Sequence, residues 1–333
     1  MPRIALDAMG TDDHPEPEIQ GLIQALESWP DPILLVGKDE LLESRLAEAG
    51  ISDDRVQVIH APEVLEMTDK PADSARGKPK SSMAVAMELV KSGEADAFVT
   101  CGNTGGALAN AIFRLGRIRG LKRPALTAAF PVRNGQALVL DIGANADCKP
   151  EFLLQFALMG SVYAEKVLGV GSPKVALLSN GEEAGKGNEL IKESFPLLKD
   201  TSLNFIGNVE AKEAYAGKAD VVVTDGFVGN VFLKTSEAVS ALLIDLIREH
   251  IKASPITSLG GALARPAFRR VGNILDPEQY GAGVLLGVNG LVFIGHGRSG
   301  ATGVYNAIRV ARQAVETHLL DALSESIQHR LQG

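Results

Sequence analysis

Short runs of apolar residues recur along the chain, and most of them end in Gly, Asn or Asp. Runs that are apolar at nearly every position are typical of strands buried on both faces of a sheet. Eight such runs are RIALDAMG, PILLVG, ADAFVTCGNTGG, ALVLDIGAN, KVALLSNG, LNFIGN, ADVVVTDGFVGN and GLVFIGHG. Helical patterns lie between many of them, at residues 17–28, 82–92, 150–167, 188–198 and 231–252. This alternation predicts an α/β fold with a mostly parallel sheet, whose ligands bind beyond the carboxyl ends of the strands.

Length and composition fit a large globular enzyme. The chain has 333 residues, of which 45% are hydrophobic and 22% are charged, and it shows no clear linker or repeat. We expect a single domain over residues 1–333, in which two lobes would meet at a cleft, with a boundary near residue 170. The net charge of −8 disfavours nucleic acid as a partner. Two cysteines and a strand-like opening run, MPRIALDAMG, lead us to expect a cytoplasmic protein.

Two stretches contain basic residues and no acidic ones. Residues 111–140 contain six basic side chains, and residues 251–275 contain four. Such stretches could dock an acidic partner or an anionic membrane, or they could be ordinary solvated faces. In the second stretch, Gly and Pro residues predict short, separate helices, and Ile256, Leu259 and Leu263 recur at helical spacing.

The segment SNGEEAGKGNE, at residues 179–189, superficially resembles a nucleotide-binding loop. A P-loop has the form GxxxxGK[ST]. Here only Glu182, Glu183 and Ala184 separate the glycines, and Gly187 follows Lys186. The two carboxylates would also repel a triphosphate. The segment is not predicted to bind ATP, and Lys186 requires another role.

Three further loops carry candidate site residues. In TCGNTGGALANAI, a Gly-rich turn at the start of a helix favours an anion site, and a tight strand-to-helix turn is the alternative. In DSARGKPKSSM, the basic residues Arg76 and Lys78 could hold a phosphate, while Ser81 is expected to cap the following helix. In TDGFVGNVFLKTSE, Asn230 enters a helix, where it could equally be an N-cap.

Cysteine and histidine give weaker signals. Cys101 has no histidine near it in the sequence, and a cysteine at a strand end is typically a small buried apolar residue. His296, in GHGRSG, could act as an acid or a base. The six histidines show no spacing typical of metal ligands, so we expect no metal.

Taken in order, several segments resemble one family over nearly the whole chain. They are ALDAMGTD, ARGKPKSSM, GNTGGA, LDIGANADCKP, SNGEEAGKGNE, TDGFVGNVFLK, YGAGVLLGVNG and HGRS. The family is the acyl-acyl carrier protein:phosphate acyltransferase of bacterial phospholipid synthesis. Small departures from its pattern occur at Thr11, where a second Gly is usual, and at Cys101 and Gly106, where Ala is common.

The resemblance implies the reaction, the fold and the partners. An acyl group would pass from acyl carrier protein to inorganic phosphate, and no cofactor would be needed. The fold would be a three-layer α/β/α sandwich like that of isocitrate and isopropylmalate dehydrogenases. The protein would be a cytoplasmic homodimer that attaches peripherally to the inner face of the cell membrane, with transient contact to a downstream acyltransferase.

Under this resemblance, phosphate is the nucleophile and the protein supplies charge and hydrogen bonds. We assign Lys186 to the phosphate or the developing negative charge, and Asn230 to the thioester oxyanion. The expected phosphate-binding residues are Gly102, Asn103, Thr104 and Gly105, with Arg76, Lys78 and His296 as further candidates. Three alternatives stay open: a coenzyme A-dependent phosphate acyltransferase, an isocitrate-type dehydrogenase, and a membrane-surface scaffold for lipid enzymes.

Overall fold

The computed structural model describes residues 1–70, 77–133 and 135–331, and its strands form one eleven-stranded sheet. The strands are β1 (Ile4–Asp7), β2 (Ile33–Gly37), β3 (Val56–His60), β4 (Ala97–Thr100), β5 (Ala125–Val132), β6 (Gly135–Leu140), β7 (Val175–Leu178), β8 (Phe205–Val209), β9 (Val221–Val223), β10 (Gly283–Leu286) and β11 (Leu291–Ile294). Their order is β3-β2-β1-β4-β11-β10-β5-β6-β9-β7-β8. Only the pairs β11–β10, β10–β5 and β5–β6 are antiparallel among the described pairs. The prediction of a mostly parallel sheet is confirmed.

The five predicted helical segments each correspond to a helix, although the helix predicted at residues 231–252 begins five residues earlier, at Gly226. They are α1 (Glu16–Ser28), α2 (Asp39–Glu48), α3 (Ser82–Ser92), α4 (Thr104–Arg114), α5 (Pro150–Lys166), α6 (Glu189–Lys199), α7 (Ala211–Tyr215), α8 (Gly226–Lys252), α9 (Pro255–Leu275), α10 (Ala301–Glu316) and α11 (Leu319–Leu331). Helix α3 was predicted with the correct ends because both ends carry a signal. The Ser81 hydroxyl accepts a hydrogen bond from the Ala84 amide, and Gly93 takes φ +78° beyond the last turn. The capping role expected for Ser81 is confirmed.

Helices cover both faces of the sheet, so the architecture has three layers. Successive residues of a strand point to opposite faces. On β1, Leu6 belongs to the apolar core that contains α1, α5 and α10, whereas Ala5 belongs to the core that contains α3 and α4. Both residues are fully buried. The predicted α/β/α sandwich is confirmed.

The antiparallel strands β10 and β5 join two halves of the sheet that run in opposite directions. Thr100, at the end of β4, pairs with Ile294, at the end of β11, and Ile294 pairs with Gly283 of β10. In the other half, Leu140, at the end of β6, pairs with Thr127 of β5. A Cβ at Gly283 would lie 2.1 Å from the Thr127 carbonyl oxygen, so glycine allows the two halves to meet. The carboxyl ends of both halves therefore lie along one line across the sheet.

Helices α8 and α9 pack against each other as an antiparallel pair, and along α8 only Gly226 and Gly229 are buried. No residue of α9 is buried. The expectation of short, separate helices in residues 251–275 is wrong, because α9 is continuous through Pro266 and begins with a capping box at Ser254. Among the described helices, α8 is long and apolar enough to cross a membrane, judged by length and composition alone. The pair exposes many large apolar side chains.

Thr11, which departs from the family pattern, is part of a buried hydrogen-bonded contact. Its amide donates to Glu18 Oε1 at 2.8 Å, and its hydroxyl donates to Oε2 at 3.0 Å. Glu18 is 0% exposed, and burial raises the pKa of its carboxyl from 4.5 to about 7, while the Thr11 donors oppose this rise. The contact closes the loop that carries the ALDAMGTD segment.

The raised pKa of Glu18 predicts a pH dependence of stability. Between pH 4.5 and 7 the folded chain holds the Glu18 proton and the unfolded chain does not, so stability falls as pH rises through this window. At about 1.36 kcal/mol per unit, the loss attributable to Glu18 is about 3 kcal/mol. The free energy of unfolding, measured with urea at several pH values in this window, should fall less steeply with rising pH for Glu18→Gln than for the wild type. The matched control is Glu16→Gln, which removes an exposed acid from the same helix. If the free energy of unfolding falls equally steeply with pH in both variants, the prediction is contradicted.

Candidate active site

A cavity of 350 Å³ opens where the two halves of the sheet meet. The residues that follow β4, β6 and β11 contribute to its wall, as do β5, β10 and the first turns of α8. Its polar and charged lining includes Thr104, Asn230, Lys234, Glu237 and His296. The sequence prediction that chemistry is concentrated at the carboxyl ends of strands agrees with this position.

The loop after β6 is organised by the buried carboxylate of Asp141. Its Oδ1 accepts hydrogen bonds from the amides of Leu126, Gly143 and Ala144, at 3.0 to 3.1 Å. Its Oδ2 accepts from the amide and the side chain of Asn145, at 2.7 and 2.8 Å. Burial raises the pKa of Asp141, and these donors oppose that rise. Because Gly143 and Ala144 line the cavity, Asp141 fixes one wall of the site without facing it.

Asn103 has a structural role at the start of α4. Its Oδ1 caps the helix by accepting from the Gly106 amide at 2.8 Å. Its Nδ2 lies within 3.1 Å of the carbonyl oxygens of Glu66, Met67 and Asp69. The side chain thus ties the loop before residue 70 to the start of the helix, and its polar atoms are occupied.

Of the four residues predicted around this turn, two line the cavity. Thr104 and Gly105 form its wall, and their amides lie in the first turn of α4, where no intrahelical acceptor exists. Gly102 is buried and donates its amide to Thr100 Oγ1 at 3.0 Å. The helix start therefore presents backbone donors and a positive dipole end to the cavity, an arrangement that favours an anion.

Asn230 lies in the second turn of α8 and is not an N-cap, because Asp225 caps this helix. Its Nδ2 donates to the Ile142 carbonyl oxygen at 3.1 Å, and it lies above Gly143, where a Cβ would approach it to 3.2 Å. One of its two amide hydrogens is used in this way. Among the described residues nothing accepts the second hydrogen, which can therefore reach a ligand in the cavity.

His296 faces two charged residues of α8 that the sequence interpretation missed. His296 Nε2 lies 3.1 Å from Glu237 Oε1, and Lys234 Nζ lies 2.9 Å from Glu237 Oε2. The contact with His296, and then that with Lys234, lowers the pKa of Glu237 to about 2. Glu237 is therefore a carboxylate at neutral pH, and its Oε1 lies beside the His296 ring at the cavity wall without a well-aligned hydrogen bond. A signal did exist, since Asn230, Lys234 and Glu237 recur at the spacing of one helix face.

The predicted lysines lie outside the cavity wall. Lys186 is exposed on the loop between β7 and α6, and its stem folds across Gly181, where a Cβ would lie 2.8 Å from Lys186 Cγ. Lys78 donates to Asp69 Oδ2 and to the Val64 carbonyl oxygen, at 2.5 and 2.9 Å. Arg76 lies outside the described residues. Among the described residues, Lys234 is the cation that lines the cavity together with His296.

Neither cysteine has the environment of a reactive thiol. Cys101 is buried, and burial raises its pKa to about 12. Burial raises the pKa of Cys148 to about 12 as well. Both thiols stay protonated at neutral pH and are poor nucleophiles. Within residues 1–70, 77–133 and 135–331, no group of three His, Cys, Asp or Glu side chains is placed to hold a metal ion.

Solved structures with the same fold include a phosphotransacetylase from Streptococcus pyogenes, at 18% identity and a TM-score of 0.64. That comparison covers 95% of this chain and 94% of the other. A 4-hydroxythreonine-4-phosphate dehydrogenase from Klebsiella pneumoniae is similar at 15% identity and a TM-score of 0.52, over 93% of this chain and 100% of the other. At these identities the likeness concerns the fold, and it agrees with the expected dehydrogenase-like sandwich.

Sequence comparison identifies nearer relatives. The phosphate acyltransferase of Elusimicrobium minutum is 46% identical, over 98% of this chain and 96% of its own length. The phosphate acyltransferase of Heliobacterium modesticaldum is also 46% identical, over 99% of both chains. A family model described as "Fatty acid synthesis protein" matches residues 2–321. The chain therefore belongs to the fatty acid synthesis protein family, together with these phosphate acyltransferases.

Proposed function

We propose that this protein transfers a fatty acyl group from acyl-acyl carrier protein to inorganic phosphate and so forms acyl phosphate for glycerophospholipid synthesis. Family membership and the names of the relatives support the acyltransferase activity. The composition of the cavity carries the proposal. Hydrogen-bond donors and the cationic side chain of Lys234 meet there, and its described lining contains no Ser or Cys. Such a site suits a reaction in which phosphate is itself the nucleophile.

The reaction makes three demands on the protein. A phosphate oxygen attacks the thioester carbonyl carbon, and the carbonyl electrons move onto its oxygen. The C–S bond of the tetrahedral intermediate then breaks, and the carrier thiolate takes a proton and leaves as a thiol. The protein must hold a dianion beside a carbonyl, stabilise an oxyanion and help the thiolate leave.

Each demand has a candidate residue. The amides of Thr104 and Gly105 are placed to bind phosphate, because the helix start offers donors to the cavity. Asn230 has a free amide hydrogen for the oxyanion. His296, whose Nε2 lies 3.1 Å from Glu237 Oε1, can supply the proton to the leaving thiolate. Lys186, a compact cation on the loop after β7, is proposed to balance the negative charge of the phosphate or of the transition state.

The direct test is to incubate the protein with phosphate and either acyl-acyl carrier protein or acyl-coenzyme A. We expect acyl phosphate to form with release of carrier thiol, and the carrier protein substrate to be used faster than coenzyme A. If acyl phosphate forms from acyl-coenzyme A and not from acyl-acyl carrier protein, coenzyme A replaces the carrier protein in this proposal. No acyl phosphate from either thioester would reject acyl transfer to phosphate.

We further propose that acyl carrier protein, which is acidic, docks on a basic groove beside the cavity. The groove has a volume of 610 Å³ and is lined by Ile112, Arg117, Lys122, Arg123, Pro124, Lys149, Glu151 and Phe152. It is continuous with the cavity wall along the chain, because Pro124 lines the groove and Leu126 lines the cavity. Arg114 is excluded from this surface, since it is largely buried and pairs with Glu88 at 2.8 Å.

Reversing groove charges should weaken carrier protein binding. The double variant Lys122→Glu/Arg123→Glu is expected to raise KM for acyl-acyl carrier protein and to flatten its salt dependence, because surface steering is screened over about 8 Å at physiological salt. The matched control is Arg119→Glu/Lys199→Glu, two exposed cations outside the groove lining. If both double variants change KM equally, only the overall charge matters and the groove is not a docking site.

The helix pair α8–α9 is the proposed surface for a second copy of the chain and for the membrane. Along α8, Leu242 and Leu246 are 57% and 42% exposed, which favours a partner subunit. Near the start of α9, Ile256, Leu259 and Leu263 are 84%, 67% and 79% exposed. These side chains, with the cations of residues 251–275, would lie in the headgroup region of an anionic membrane, where each cation contributes about 1 kcal/mol.

Charged substitutions separate the two roles. Leu259→Glu/Leu263→Glu should abolish co-sedimentation with anionic phospholipid vesicles and leave a dimer with full activity in solution. The companion variant Leu242→Glu/Leu246→Glu should lower the mass in analytical ultracentrifugation, because α8 would carry the subunit contact. A monomeric Leu259→Glu/Leu263→Glu variant would assign the start of α9 to the subunit interface and reject the membrane contact.

A further inference from the structure

A second cavity, of 410 Å³, lies at the base of the helix pair. Helix α8 contributes Ser240, Ala241 and Ile244, and α9 contributes Gly272 and Leu275. The remaining described lining residues are Glu237, Asp276, Pro277, Glu278, Gly281, His296, Arg298 and Ser299. We refer to it as the helix-base cavity. Its volume falls within the range of small-molecule sites, about 300–1,000 Å³.

The helix-base cavity is continuous with the active site. Glu237, Pro277, Gly281 and His296 line both cavities. His296 and Glu237 therefore stand between the place where the thioester carbonyl would bind and the space between the two helices. A ligand that reacts at Asn230 can extend past His296 into this space without leaving the protein.

The lining suits an apolar ligand. Ala241, Ile244, Leu275 and Pro277 present aliphatic surface. The acidic side chains in the wall are already engaged: Asp276 accepts from the Glu278 amide at 3.0 Å, and Glu278 accepts from the Gly300 amide at 2.6 Å. These two acids are therefore satisfied within the protein. Arg298 is the cation of the described wall, and the free energy of binding a hydrocarbon chain would come from burying it against the aliphatic surface.

We propose that the helix-base cavity binds the hydrocarbon chain of the acyl thioester. This inference rests on the proposed acyl transfer, and it makes the space between α8 and α9 the determinant of acyl chain length. The chain passes Pro277, Gly281 and His296 and lies between Ala241 and Leu275. Long chains fill the cavity, whereas short chains end before it.

Gly272 allows this cavity to be filled without disturbing its walls. It lines the cavity, and a Cβ added there would meet no atom within 4 Å. Gly272→Leu therefore places a side chain in the open space of the cavity. Gly260 lies on the same helix, outside the cavity lining, and a Cβ there also meets nothing within 4 Å. Gly260→Leu is the matched control, with the same gain in helix propensity.

The first test compares palmitoyl and butyryl thioesters as substrates. For Gly272→Leu we expect kcat/KM with palmitoyl thioester to fall at least about tenfold, equivalent to about 1.4 kcal/mol. With butyryl thioester it should stay within about twofold, and Gly260→Leu should resemble the wild type with both. Equal losses for both thioesters in Gly272→Leu, or no loss for either, would overturn the proposal.

A second test does not depend on turnover. Binding of cis-parinaric acid, a fluorescent fatty acid, should be saturable in the wild type and in Gly260→Leu and strongly weakened in Gly272→Leu. Unchanged binding of cis-parinaric acid in Gly272→Leu overturns the proposed hydrocarbon-chain site, even if acyl transfer is confirmed. Conversely, if the fatty acid binds but no acyl phosphate forms, the proposed function is rejected while the hydrocarbon-chain site is supported. If Gly272→Leu changes the oligomeric state and Gly260→Leu does not, the cavity belongs to the contact with a second copy of the protein, and the hydrocarbon-chain site is rejected.

Discussion

Replacing Asp141 by alanine is expected to lower the free energy of unfolding by about 3–5 kcal/mol. The buried carboxylate accepts five hydrogen bonds, three from backbone amides at Oδ1 and two from Asn145 at Oδ2. Alanine would leave these donors without an acceptor, and each unsatisfied buried donor costs about 1–3 kcal/mol, reduced where water enters. The loss should reach the active site as well, because the loop held by Asp141 forms one cavity wall.

Chemical denaturation with two further variants makes this test specific. Asp147→Ala removes an exposed carboxylate from the same loop and should change stability by no more than about 0.5 kcal/mol. Asp141→Asn retains the shape and one acceptor oxygen, so it should cost less than alanine and remain folded for measurement. If Asp141→Ala and Asp147→Ala unfold at the same denaturant concentration, Asp141 does not organise the loop.

Long elements could be predicted from the sequence because their signals are local. The five helical segments were found within a few residues, and α3 carries both a capping serine and a terminal glycine. Three strands were missed for identifiable reasons. β3 lies at a sheet edge and is only partly buried, β5 contains Pro131, and β10 is a short strand that begins with Gly283. Their apolar patterns are weaker than those of the central parallel strands.

The active site could be predicted only in part, because its walls come from distant parts of the chain. Thr104, Asn230 and His296 follow strand ends, so the general rule for α/β sheets found them. Strand direction is not encoded in apolar periodicity, and the antiparallel pair β10–β5 decides which loops meet. Lys234 and Glu237 were missed because they lie inside a predicted helix, where charged residues are usually interpreted as a solvated face.

Lys186→Ala is expected to reduce phosphate-dependent turnover about 10²–10³-fold, the loss typical of removing one donor that stabilises charge in the transition state. Lys186 follows β7, whose Leu177 pairs with Val223 at the end of β9, and α8 with Asn230 begins directly after β9. Its loop is fixed by hydrogen bonds from the Asn208 side chain to Glu183 and from the Gly187 amide to Asn180. Because Lys186 is exposed, its removal should leave stability within about 0.5 kcal/mol.

Two other lysines decide whether this effect is specific to Lys186. Lys192→Ala removes an exposed charge from the helix that follows and should keep normal turnover. Lys234→Ala removes the lysine that lines the cavity and holds Glu237. Turnover should be measured at saturating phosphate, so that weaker phosphate binding cannot hide the chemical step. Normal turnover in Lys186→Ala together with a large loss in Lys234→Ala would move the charge-stabilising role from the Gly-rich loop to α8. Losses in both variants would mean that the charge of the transition state is stabilised from two sides, by Lys186 on the loop after β7 and by Lys234 on α8.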